Sequence, residues 1–248
     1  MKGLITMKFL YHVDILGDEN EIKEFFPRIP KCRIEGEDNT IKRICVSKNI
    51  EGCLGATSWG QKINRNIKEF QVLRVYVFDI KDIKKDNLIL DKDLYERGLV
   101  LDAKIYNECW IVNQSIKPCK VFYISINSYD IEYKNLIESN YKGVIKGYCA
   151  KYTKLKYTII PKNEVQFGLK CTVKVDLNKI NFNNIKDTSK AEYMTKKVMD
   201  ILDKDGYLNG KAEITFNSIS KKNILSIKLN LSYGLWMSKF IDYEKCIN

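Results

Sequence analysis

Residues 71–79 constrain the fold more than any other stretch. Val72, Leu73, Val75, Tyr76, Val77 and Phe78 crowd nine positions with β-branched and aromatic side chains, which suit a pleated, buried strand. A strand needs partners, and the chain offers several apolar runs bounded by polar turns: 7–13, 43–47, 108–112 and 119–127. Between them lie short helical patterns. Residues 20–26 place Ile22, Phe25 and Phe26 on one side, with Pro27 and Pro30 to stop the helix. Residues 48–59 carry Ile50, Cys53 and Leu54 on one inward face, with Ser47 positioned to cap the helix. A further short helix is expected near 91–97. The fold class read from this pattern is α+β, with an N-terminal mixed or antiparallel sheet flanked by short helices.

Composition shifts near residue 130. Residues 131–154 interleave Tyr133, Tyr141, Tyr148 and Tyr152 with Lys134, Lys142, Lys146, Lys151 and Lys154, and read as a basic connector. Beyond it, strands at 155–160 and 165–177 precede a helix at 189–204. That helix opens on a capping box, Ser189 with Glu192, and Gly206 lies just past its end. Strands at 211–217 and 223–233 follow, the second alternating Leu225, Ile227, Leu229 and Leu231. The expected organisation is therefore a domain at 1–130, a connector at 131–154 and a ββαββ unit at 155–248.

No apolar run approaches the ~20 residues that span a bilayer, and the N-terminus lacks the form of an export signal, so the expected setting is the cytoplasm without membrane attachment. Eight cysteines form no Cys-x-x-Cys pair, and one histidine is too few for zinc-finger spacing, so the cysteines read as reduced and structural and no metal is expected. The net charge of +11 favours anionic partners: nucleic acid, a nucleotide or an acidic protein surface. No Walker loop, dinucleotide-binding glycine fingerprint or Gly-x-Ser-x-Gly elbow is present.

Three residues mark candidate chemistry. His12 ends the first strand, Ser47 joins the second strand to a helix N-terminus suited to phosphate, and Glu108 opens a later strand. Tyr11, His12, Val13 and Asp14, together with Glu108, Cys109, Trp110, Ile111 and Val112, resemble the His…Tyr…Glu branch of the ADP-ribosyltransferase fold over roughly residues 7–127. The resemblance implies NAD as substrate and transfer of ADP-ribose to a protein or nucleic-acid acceptor. It implies His12 on the adenosine-side ribose, Glu108 stabilising the oxocarbenium-like transition state, and Ser47 and Arg43 near the phosphates. The second block lacks the family's tyrosine, so Tyr76 or Trp59 would stack on nicotinamide. For these roles to combine, His12 and Glu108 must share a cleft. The alternative is a non-catalytic basic protein that binds nucleic acid or an acidic protein complex, such as a phage or mobile-element inhibitor of a host defence system.

Overall fold

The computed structural model describes residues 7–14, 17–31, 33, 36–60, 71–135, 148–176, 178, 193, 196, 212–219, 224–238 and 244–247. The chain divides into two compact units. The first comprises Met1–Asp14, Asn20–Glu69 and Leu73–Ile159, and the second Ile15–Glu19, Phe70–Val72 and Ile160–Asn248. The architecture is mixed, mostly antiparallel sheet with few helices, which is α+β at the coarse level.

In the first unit the strands are β1 (Phe9–Asp14), β2 (Arg43–Ser47), β3 (Gln71–Asp79), β4 (Leu88–Ile89), β5 (Glu108–Val112), β6 (Lys120–Asn135) and β7 (Tyr148–Ile160). The helices are α1 (Ile50–Gly60), α2 (Asp91–Glu96) and α3 (Ala103–Tyr106). The strands run in the order β3-β1-β2-β5-β4, each neighbouring pair antiparallel, and β6 pairs with both β3 and β7.

Side chains alternate between the two faces of this sheet, and each face has its own core. One face gathers Leu10, Ile44, Val46, Tyr76, Phe78, Cys109 and Ile111, with Phe25 and Ile116 inserted from loops. The other packs Trp110 and Val112 against Leu94, Val100 and Ala103 from the α2–α3 region. β3, the strand most legible in the sequence, is buried from Val72 to Asp79.

Residues 20–26 are not helical. Phe25 and Ile116 exchange both backbone hydrogen bonds, N to O at 2.8 and 3.0 Å, and Arg28 does the same with Arg43. Two factors override the helical pattern. Pro27 disfavours helical backbone at Phe26, and the extended path lets Phe25 pack edge-on against Tyr76 and Phe78 at 4.9 and 5.1 Å. The predicted connector at 131–154 contributes strand at 131–135 and 148–154, and its middle lies outside the described residues.

In the second unit, β10 (Ile224–Met237) lies between β8 (Val165–Asp176) and β9 (Ala212–Ile219), antiparallel to both. Leu235 and Trp236 of β10 also pair with Val72 and Gln71, the start of β3, which belongs to this second unit. The ladder to β8 shifts register between Leu231 and Leu235, where Gly234 adopts φ +80°. A short parallel strand, β11 (Glu244–Ile247), joins β8. The expected helix at 189–204 lies outside the described residues except at 193 and 196.

The start of α1 fixes the geometry of the first unit. Asn49, not Ser47, caps this helix: its Oδ1 accepts from the Gly52 N–H at 2.7 Å. The Ser47 hydroxyl instead donates to the Tyr106 carbonyl at 2.7 Å and tethers the end of β2 to the end of α3. Gly52 packs against that junction so closely that a Cβ there would lie 1.9 Å from the Tyr106 carbonyl oxygen and 2.2 Å from the Ser47 Oγ. Relief would require movement of backbone. Gly52→Ala is therefore expected to lower stability by about 1–3 kcal/mol, read as a reduced urea midpoint at unchanged slope.

Candidate functional site

The register across β1, β2 and β5 decides which candidate residues can meet. Tyr11 pairs with Ser47, and Ser47 pairs with Glu108, so these three side chains form a row on one face. Arg43 lies on that face too, four residues before Ser47 on the same strand. His12 follows Tyr11 and therefore projects to the opposite face, where it pairs with Tyr76. The five sequence candidates separate into two groups with the sheet between them: Arg43, Ser47 and Glu108 on one side, His12 and Tyr76 on the other. β1 and β5 are not neighbours either, since β2 intervenes. The shared cleft that the combined roles require does not form between His12 and Glu108.

Each group is engaged within the fold. On its face, the His12 ring lies 5.2 Å from Phe25 and 6.3 Å from Tyr76, and its Nδ1–H donates to the Cys45 carbonyl at 3.0 Å. Burial lowers the His12 pKa, so the imidazole is neutral at pH 7. Tyr76 is fully buried, and its hydroxyl accepts from the Ile22 N–H at 2.9 Å and the Arg74 guanidinium at 3.1 Å. No face of the Tyr76 ring is left for a nicotinamide.

On the other face, Glu108 Oε1 accepts from the Trp110 indole N–H at 2.8 Å. Burial pushes the Glu108 carboxyl up to about 8, the nearby Asp102 carboxylate adds to the rise, and the indole bond opposes it. At neutral pH the acid is mostly protonated. Arg43 is buried, with its guanidinium 3.9 Å over the Trp110 ring. Its Nη1 donates to the Ile41 carbonyl at 2.9 Å and its Nη2 pairs with Glu37. Ser47 is held by Tyr106 as described. Burial also pushes the Cys53 and Cys109 thiols up to about 12, so neither supplies a thiolate at neutral pH.

A polar cleft of about 200 Å³ opens beside this junction, between the start of α1, the end of α3 and β7. Asn49, Glu51, Gly52, Asn107, Lys151 and Tyr152 are among the residues that line it. Glu108 follows Asn107 directly but does not line the cleft. Sequence reasoning missed α3, which is only four residues long; the available signal was Asn107, a left-handed residue (φ +51°) of the type that ends helices. Among the described residues, no group of three His, Cys, Asp or Glu side chains is placed to hold a metal ion. No described helix is long and apolar enough to cross a membrane.

Comparison of the chain with protein-family models, curated proteins and solved structures finds no match in any of the three.

His12 and Glu108 make opposite predictions for stability. Glu108 has a folded pKa near 8 against an ordinary value of 4.5, so the folded state holds its proton longer than the unfolded chain. Its contribution is complete below 4.5 and is lost as pH rises toward 8. His12, with its folded pKa below 6.5, destabilises the fold under acid conditions and no longer contributes a slope above about 6.5. Between pH 6.5 and 8 Glu108 gives the slope of this pair, a fall of up to about 1.4 kcal/mol per pH unit. Glu108→Gln keeps an acceptor for Trp110 and is expected to flatten the decline, measured by urea unfolding at a series of pH values.

Proposed function

We propose that this protein is a non-catalytic binding protein that engages an anionic macromolecule through its basic surface. The observation that carries this reading is the separation of His12 and Glu108 onto opposite faces of the sheet. An NAD molecule touching both would have to contact opposite faces of the sheet. The carboxyl meant to stabilise positive charge is protonated at neutral pH, and the hydroxyl and guanidinium meant for phosphates are bonded to Tyr106, Ile41 and Glu37. What remains is the charge. Forty-two lysines and arginines outnumber thirty-one acids, and a chain with a net charge of +11 attracts polyanions.

An ADP-ribosyl transfer reading keeps one support, the raised Glu108 acid at a strand mouth beside a polar cleft, a type of placement common at functional sites. The two readings separate in one experiment. The purified protein is incubated with NAD and, separately, titrated against a single-stranded oligonucleotide and polyglutamate. The binding reading expects no nicotinamide release above the blank. It also expects polyanion affinity to fall about ten-fold or more between about 50 and about 200 mM salt. Nicotinamide release that disappears in Glu108→Gln would overturn it in favour of transfer chemistry.

A further inference from the structure

The face of the first unit that carries Tyr11 also carries a set of aromatic rings with lysines at their edges. Phe9 and Tyr11 share this face with Asp79 and Val77, their register partners on β3. Phe122 and Lys120 belong to it by elimination. Val121 packs into the core around Tyr76, and the Arg74 guanidinium lies 5.8 Å from the Tyr123 ring. Arg74 and Tyr76 point to the opposite face, so the odd-numbered residues of β6 point there with them and Lys120 and Phe122 point back toward Tyr11. The Cys119 N–H donates to the Val77 carbonyl at 2.8 Å and sets the start of β6 beside β3. Tyr157 of β7 completes the set. The Asn127 amide donates to the Thr158 hydroxyl at 3.0 Å, so Thr158 points with the odd-numbered residues of β6 and Tyr157 points back to the face of Phe122. Burial raises the Tyr11 phenol, and the Tyr157 and Cys119 side chains act in the same direction.

The lysines sit against this aromatic surface. Lys8 Nζ lies 5.1 Å from the centroid of the Phe9 ring, and Lys120 Nζ lies 5.3 Å from that of Phe122. Lys81 pairs with Asp79 at 3.1 Å and keeps three quarters of its side chain exposed. Tyr157 is 40% exposed, while Phe9, Tyr11 and Phe122 are partly exposed. By contrast, Tyr152, from the stretch read as a basic Tyr/Lys-rich connector, is buried and packs on Tyr129 at 5.0 Å.

We propose that Tyr11, Phe122 and Tyr157, edged by Lys8, Lys81 and Lys120, form a stacking platform for single-stranded nucleic acid. The inference rests on the anionic-partner reading and names both the partner and the surface. Rings on a sheet face offer π-surfaces to unpaired bases, and ammonium groups about 5 Å from ring centres meet the phosphates of bases stacked there. An acidic peptide would satisfy the lysines but leave the rings without a partner. A duplex keeps its bases stacked on each other and away from the rings.

The test uses the full chain and a fluorescent oligothymidylate, with binding read by anisotropy across a salt series. Tyr157→Ala is expected to weaken binding about five-fold or more without moving the melting temperature, because the ring is exposed. Lys120→Ala is expected to reduce the salt slope by about 0.7. Lys156→Ala removes the same charge one residue from Tyr157, on the other face of β7, and is expected to change affinity far less. If Tyr157→Ala and Lys120→Ala bind like the parent while Lys156→Ala weakens, the platform is wrong and the anionic-partner reading stands. Salt-sensitive binding to polyglutamate with none to the oligonucleotide overturns the nucleic-acid partner alone. Absence of salt-sensitive binding to either polymer removes both.

Discussion

The register of β2 between β1 and β5 is the constraint on which the rest of the first unit depends. A strand places successive side chains on opposite faces, so one pairing decision assigns every residue on three strands to a face. A slip of one residue would send Ile44 and Val46 out of one core and Arg43 into it. The register is held from several directions. The Ser47 hydroxyl reaches the Tyr106 carbonyl, the Lys48 N–H reaches the Asn107 carbonyl, and Arg28 pairs with Arg43 at the far end of the strand. Gln114 adds a clasp at the end of β5, accepting from the Lys84 N–H and the Asn87 amide and donating to the Asp82 carbonyl.

That register places an expensive group in the interior. Arg43 is almost wholly buried, and it is stabilised by the Glu37 carboxylate, the Ile41 carbonyl and the face of Trp110. A buried ion pair of this kind contributes little net stability against an apolar replacement. It does reject alternatives. With Arg43 on the Ile44 face, the guanidinium would enter a cluster of Phe25, Phe78 and Ile111 that offers it no carboxylate. The same logic explains Glu108, which is tolerated because it is protonated and bonded to the Trp110 indole.

The strand content was legible in the sequence because β-branched and aromatic runs such as 71–79 and 108–112 have few other uses. The segment 20–26 was misread because its apolar spacing fits a helix, while its true partner, Ile116, lies far along the chain. Ser47 and Asn49 are both good caps by residue type, and only the Tyr106 carbonyl, a tertiary neighbour, assigns Ser47 elsewhere. The separation of His12 from Glu108 was hidden for a related reason. Residue types at strand ends are visible in a sequence, but whether His12 and Glu108 share a face depends on two pairing registers that no local pattern encodes. The ring-and-lysine surface was hidden for the same cause, since Tyr11, Phe122 and Tyr157 belong to three separate strands.

The extended segment through Phe25 has a consequence for the order of assembly. Its backbone bonds reach Ile116, and its Glu24 carboxylate accepts from the Ser115 hydroxyl across 91 residues of chain. Phe25 also fills the center of the aromatic cluster around His12 and Tyr76. During synthesis that cluster therefore stays open until the chain beyond β5 has emerged. Closing so long a loop is entropically late and slow, which makes completion of this core a late event in folding. Until then the rings of Tyr76 and Phe78 are exposed to other chains, and the lysine-rich composition that suits an anionic partner also keeps unfinished copies apart.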